Sequence, residues 1–320
     1  MPRPHLATFV ALVAACGGGH GAPDASSGSG EPVTAIATGQ TAVTALAVAS
    51  ADVLWTAGSG SSGRIMACPF TGGCDATTAP LTAGVAAPNA IATDGSDAWF
   101  GDGSAVRTCA ITSCAPTTIA AATAPVQALL VDGSTLYVAS GDLENGGGGL
   151  SSCTLPGCNP LTPVGGNTDS VFAIAVDATS VYWSTLEQIW RRPITGSAAD
   201  ADIVVNDDEI TALVSDGSAL YWTVADTVQG AIRACTLPAC SSVTTVAATQ
   251  ATPFALTADA ANLYWTDADT SNAHTCPKAA AMCSPRLLAA DVTQPTGIAV
   301  AGSAVYFVAD QTTIDEVAAP

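Results

Sequence analysis

Ala255-Leu-Thr-Ala-Asp-Ala-Ala-Asn-Leu-Tyr-Trp-Thr266 reads as a small-apolar strand, a short turn and an aromatic-rich strand. The same pattern returns in Ala173-Ile-Ala-Val-Asp-Ala-Thr-Ser-Val-Tyr-Trp-Ser184 and in Ala212-Leu-Val-Ser-Asp-Gly-Ser-Ala-Leu-Tyr-Trp-Thr223. Anchored on the second aromatic position, the repeat passes through Trp55, Trp99, Val138, Trp183, Trp222, Trp265 and Phe307, at intervals of 44, 39, 45, 39, 43 and 42 residues. Each interval holds four strand-length segments, and a period of about 40–45 residues with four strands predicts a β-propeller blade. No helical periodicity recurs, which excludes a helical solenoid.

The strands can be ordered within a unit. The first, such as 90–93 or 128–131, is expected to line the axis, where crowding favours Ala and Val. The second carries the Tyr-Trp-Thr aromatics that would fill the gap between neighbouring blades. The fourth (117–120, 243–246 and 286–289) is expected outermost, and the Asp-Gly pairs at Asp94, Asp132 and Asp216 fit two-residue hairpin turns. After Pro295 only three strand-like segments remain, while residues 32–38 read as an orphan outer strand. Pairing the two hides two strand edges. The expected fold class is therefore all-β: a seven-bladed β-propeller of four-stranded antiparallel blades over residues 31–320, its last blade closed by an N-terminal strand.

Composition excludes other classes. Hydrophobic residues reach 48% and charged ones only 11%, the reverse of a disordered chain. A net charge of −19 argues against nucleic acid as a partner. Residues 6–15 form an apolar run behind Arg3 and His5, too short to span a bilayer but suited to a signal peptide. Val13-Ala14-Ala15-Cys16 resembles the lipobox of bacterial lipoproteins, with residues 1–15 as the leader and residues 16–30 as a Gly/Ser-rich tether. That resemblance implies lipidation of Cys16, and Gly17 after it implies the outer membrane, reached through the lipid anchor alone.

With Cys16 assigned to lipid, ten of the 11 Cys remain, in five close pairs. They are Cys68 with Cys74, Cys109 with Cys114, Cys153 with Cys158, Cys235 with Cys240, and Cys276 with Cys283. Each pair falls between the third and fourth strands of its repeat, and pairs in different blades would lie far apart. Disulfides within pairs are expected, because a zinc knuckle would need two pairs to converge on one metal. Their expected role is to pin outer hairpins. The fourth unit has no pair, and its hairpin is expected to hold by packing alone.

Tyr264-Trp265-Thr266-Asp267 is the tetrapeptide of YWTD-type β-propellers, and Tyr221-Trp222-Thr223 and Tyr182-Trp183-Ser184 are degraded copies. The chain also resembles NHL and gluconolactonase-type propellers and Cys-rich bacterial propeller lipoproteins, at the level of fold. His274 occupies a slot where other units place Arg107, Arg233 and, by alignment, Arg191, and a packed stem with a solvated head is the expected role there.

The candidate binding face is the channel mouth. Loops joining second to third strands carry Asp102, Asp142, Glu144, Glu187, Asp226, Asp267, Asp269 and Asp310. The residues leading into the inner strands (Asn89, Gln127, Phe172, Thr211, Phe254 and Thr296) would share that mouth. Their oxygens could hold Ca²⁺ or steer a cationic partner. The gluconolactonase resemblance implies a Glu/Asn/Asp metal set there, of which Asn89 matches one member. No catalytic triad is legible. The expected function is a monomeric, lipid-anchored, non-catalytic binding scaffold for a protein or carbohydrate partner. A metal-dependent hydrolase or lactonase and a structural envelope component are the alternatives.

Overall fold

The computed structural model describes residues 30–142, 147–166, 169–226, 230–278 and 282–320. The leader, Cys16 and the tether up to Ser29 lie outside the described residues, and so does Glu144. Seven four-stranded antiparallel sheets form the blades. Blades 1 to 6 span residues 46–85, 91–121, 126–163, 173–206, 210–250 and 253–289. Blade 7 joins three strands of residues 298–318 to the closing strand Val33–Ala37, which pairs antiparallel with Thr313–Ala318, Val33 lying opposite Val317. Blade 7 then packs on blade 1, and the ring is shut.

Two adjacent aromatic positions build every seam. Successive strand residues point to opposite faces, so one residue of a Tyr-Trp pair faces the following blade and the other the preceding one. Tyr182 shares a buried cluster with Trp222, Tyr221 with Trp265, Tyr264 with Phe307, and Tyr306 with Trp55. Leu54 with Phe100, Trp99 with Val138, and Tyr137 with Trp183 complete the remaining three seams. The hydrophobic effect therefore acts between blades, and the core is seven seams rather than one centre. This register corrects the repeat anchor in blade 2. Phe100 pairs with Arg107 as Trp265 pairs with His274, so Phe100 holds the second aromatic position and Trp99 the first. Spacing cannot separate two neighbouring aromatics; strand pairing can.

The slot opposite the second aromatic is also corrected. Blade 4 places Trp190 there, not Arg191. Trp190 stacks on Trp183 with centroids 6.2 Å apart, as His274 stacks on Trp265 at 5.7 Å. Arg191 points to the other face and grips Asp202 with both arms, at 3.2 and 2.8 Å. The blade 4 hairpin is thus held by a bidentate ion pair across its outer strands as well as by packing. Arg192, only 8% exposed, pairs with Val181 where Cys235 pairs with Leu220. It takes the place of the missing cysteine.

All five disulfides join the cysteines of single pairs, with Cα separations of 6.1, 4.9, 5.0, 4.9 and 6.3 Å. They do more than pin outer hairpins. The first cysteine of each pair is buried inside a seam cluster, because it lies two residues beyond the slot and on the same strand face. The Cys68–Cys74 loop also grips the closing strand. The Ile36 carbonyl accepts the N–H groups of Gly73 and Cys74 at 3.1 and 3.2 Å, and Thr38 donates to the Cys74 carbonyl at 3.1 Å.

The Asp turns divide into two kinds. At Asp132-Gly133 a two-residue hairpin does form, but its loop residues are Gly133 and Ser134, with Asp132 still paired opposite Thr135. Asp94 and Asp216 instead open four-residue connections, and so do Asp177 and Asp259. One carboxylate oxygen of each accepts the backbone N–H groups two or three residues on, at 2.6–2.9 Å. The carboxylate side chain, rather than a primed turn, organises these corners.

Candidate functional site

The Thr of Tyr-Trp-Thr is a structural device at the mouth. Thr56, Thr223 and Thr266 are fully buried, and their hydroxyls accept the N–H groups of Ala45, Ala212 and Ala255 at 2.9, 2.9 and 3.3 Å. In blades 5 and 6 the ladder there is interrupted by a register shift, so the hydroxyl supplies the acceptor the ladder lacks. Thr211 extends this into a latch. Its hydroxyl bonds Thr223 at 2.8 Å and donates to the Phe254 carbonyl of the next blade at 2.8 Å. Thr44 reaches Pro88 at 2.7 Å in the same way, and Thr296 reaches Val43 at 2.8 Å across the ring closure.

Other mouth residues are similarly engaged. Gln127 donates to the Gly141 carbonyl at 2.9 Å. Asp267, 1% exposed, accepts the N–H groups of Ala251, Thr252 and Thr270 at 2.8, 3.1 and 3.3 Å. Asp102 repeats this with the Ala86 N–H at 2.6 Å and adds an ion pair to Arg107 at 3.0 Å. Asp269 accepts the Thr252 hydroxyl at 2.7 Å. Asn89, Phe172 and Phe254 are half-buried, while Glu187 and Asp310 are exposed. Asp142 and Asp226 are half-buried beside segments outside the described residues. Among the described residues no three His, Cys, Asp or Glu side chains are placed to hold a metal, so the Ca²⁺ considered above finds no ligand set there.

Carboxylates do gather on the rim of blades 4 and 5. Glu187, Gln188, Asn206, Asp207 and Asp208 line an open depression of about 370 Å³. Glu209 and Asp226 adjoin it, since Ala225 donates to the Glu209 carbonyl at 3.0 Å. Burial first, then repulsion from Asp226 and Asp208, pushes the Glu209 carboxyl up. Glu209 also holds a left-handed backbone at φ 53°, which is costly for a residue with a Cβ. Asp207 also ties the rim to the seam below, accepting the Trp222 indole N–H at 2.8 Å and pairing with Arg233. Glu187 and Asp226 belong to the mouth expected from the sequence; Asp207-Asp208-Glu209 does not, and the signal for it is three consecutive acidic residues.

The opposite face carries three Asp–Tyr pairs that were not anticipated. The hydroxyls of Tyr182, Tyr221 and Tyr264 donate to Asp177, Asp216 and Asp259 at 2.9, 3.3 and 2.6 Å. Burial, reinforced by the neighbouring carboxylate, pushes each of these phenols up to about 12. Burial works against each Asp too, yet hydrogen bonds outweigh it and hold all three carboxyls below their ordinary range. The sequence signal was Asp five residues before Tyr.

One titration touches ring closure. Asp315 sits on the strand that pairs with the closing strand, opposite Ala35. Burial first, and Asp310 second, pushes its carboxyl up to about 6. The folded protein then holds this proton more tightly than the unfolded chain, so stability falls as pH rises from about 4 to about 6. Asp315→Asn is expected to stabilise the protein at pH 7 by about 1–2 kcal/mol after discounting for partial exposure, and to change nothing below pH 4. Thermal melts of both proteins across pH 4–7 check this; a gap independent of pH would refute it.

Fold and site together define a disulfide-stapled, seven-bladed β-propeller with an acidic rim on one face. No protein-family model matches the chain, and no curated protein sequence does. Solved structures share the fold. The chain resembles the WD40 propeller domain of Doa1 at 11% identity and TM-score 0.69, covering 89% of this chain and 96% of that one. It resembles virginiamycin B lyase from Staphylococcus aureus at 13% identity and TM-score 0.68, covering 90% and 99%. A chain of the mitotic checkpoint complex matches at 13% identity and TM-score 0.71, covering 96% and 99%. Likeness at this identity is likeness of fold.

Proposed function

We propose that the protein is a lipid-anchored, extracytoplasmic binding scaffold that recruits a basic partner protein through the acidic rim of blades 4 and 5. The observation that carries this reading is the rim itself: Glu187, Asp207, Asp208, Glu209 and Asp226 cluster there, with Arg233 paired to Asp207. Five disulfides suit an oxidising compartment. A field of one sign on a rigid ring favours capture of a cationic surface. Cys16 would tether the ring to the outer membrane through residues 16–30.

Two measurements test the reading. Labelled palmitate is expected in the wild type and absent from Cys16→Ala, which should move to the soluble fraction. A photo-reactive residue at Asp208 of the full-length protein in its own cells should yield a discrete cross-linked adduct. Glu187→Gln, Glu209→Gln and Asp226→Asn together should reduce that adduct roughly tenfold. The same label at Ser218, on the opposite face, should give none. Equal adducts at both positions, or an adduct indifferent to the rim charges, would defeat the rim as the binding surface.

A further inference from the structure

The seam between blades 2 and 3 holds a cleft of about 460 Å³ on the face opposite the acidic rim, lined in part by Asp94, Asp97, Trp99, Leu155 and Pro156. The pseudo-symmetry of the ring shows what such a cleft accepts. At the seam between blades 5 and 6, the turn Asp216-Gly-Ser-Ala219 meets Lys278, whose ammonium lies 3.0 Å from the Asp216 carboxylate. That lysine is largely buried, its side chain 10% exposed. Its stem therefore fills the seam while its charge is neutralised.

Blade 2 carries the same turn, Asp94-Gly-Ser-Asp97. One Asp94 oxygen accepts the N–H groups of Ser96 and Asp97 at 2.8 and 2.9 Å, as Asp216 accepts those of Ser218 and Ala219, both at 2.9 Å. The other oxygen of Asp216 takes Lys278 and the Tyr221 hydroxyl. In blade 2 neither donor exists. Trp99 stands in the Tyr position, and Leu155 stands where Lys278 does: Leu155 donates its N–H to Ser134 at 2.7 Å, Lys278 to Ala261 at 2.8 Å. Asp97 adds a second carboxylate where blade 5 has Ala219. Trp99 is 4% exposed, yet its indole N–H has no partner among the described residues. Among the described residues the cleft thus presents two acceptors without a cation, an indole wall suited to an ammonium group, and one idle donor.

We infer that this seam cleft is a binding site for an alkylammonium group, which takes the place that Lys278 fills at the seam between blades 5 and 6. The ammonium sits between Asp94 and Asp97, its methylene chain lies along Trp99 and Leu155, and an acceptor oxygen on the ligand takes the indole N–H. A free diamine and a lysine side chain share this chemistry. The site is remote from the rim, so its failure would leave the scaffold reading untouched.

Titration calorimetry of the full protein with cadaverine, with Nα-acetyl-lysine methylamide and with the neutral 1,5-pentanediol tests the site. Saturable binding of either amine, with none of the diol, is expected; stronger binding of cadaverine marks a free amine as the source, and stronger binding of the lysine derivative a polypeptide. Asp97→Asn should weaken the preferred amine roughly tenfold, as loss of one charge-assisted partner implies. Leu155→Lys builds the ammonium in. It should abolish amine binding and raise the melting temperature by roughly 2–4 °C, whereas Leu155→Met should bind as wild type. Equal binding of the diol, indifference to Asp97→Asn, or a melting temperature lowered by Leu155→Lys would overturn the inference.

Discussion

Trp222→Ala is expected to lower the unfolding free energy by about 4–5 kcal/mol, the upper range for truncating a buried aromatic. Trp222 is fully buried in the seam with Tyr182, Ile210 and Cys235. Its indole N–H also bonds Asp207, in the connection that leads from the preceding blade, at 2.8 Å. Truncation leaves a void too rigidly walled to collapse, and it removes a donor from a carboxylate held against the seam. Trp222→Phe keeps most of the ring and should cost about 1–2 kcal/mol, the share of the lost hydrogen bond and the smaller side chain. Denaturant unfolding followed by circular dichroism measures both. If Ala and Phe cost the same, the seam is not packed as described.

Ile36→Asp is expected to cost about 4 kcal/mol or more and to open the ring. Ile36 lies on the closing strand, 2% exposed, in the cluster that holds Trp55, Met66 and Ile314. Among the described residues that cluster holds no cation, so burial of an unpaired charge opposes closure directly. Val33 lies on the same strand but is 43% exposed, and Val33→Asp should change stability by no more than about 0.5 kcal/mol. The Cys68–Cys74 loop gives the comparison its second axis, because it bonds Ile36 through the backbone. Replacing both cysteines by Ala should cost about 2 kcal/mol in the wild type, and distinctly less once Ile36→Asp has released the strand. Strict additivity would show that loop and strand act separately. Limited proteolysis near Ala37 should rise in parallel with the loss of stability.

Much of this molecule could be read from residue order alone. The Tyr-Trp repeat announced blades because its spacing matches four strands, and the missing fourth strand after Pro295 announced closure by residues 32–38. Pairing of cysteines followed from their common place in the repeat. The mouth was harder. Thr211, Gln127 and Asp267 looked like candidate ligands because polar residues near a channel often are, but each bonds main-chain groups that the interrupted ladders and loops leave open. A sequence shows that a threonine is present, not which carbonyl it meets. The exchange of Trp99 for Phe100, and of Arg191 for Trp190, had the same origin: a shift of one residue reverses the face of a strand.

What the sequence determined by itself was local and periodic: strand alternation, turn carboxylates, cysteine spacing and the number of blades. These depend on residues a few positions apart, whose geometry the backbone dictates. Only the tertiary structure decided the seams, where Trp222 meets Asp207, Ile36 meets Met66, and Leu155 stands beside Trp99 in the place that Lys278 fills elsewhere. Those contacts join a blade to its neighbour or to the connection between them, and their partners are set by how the ring closes rather than by the order of the chain.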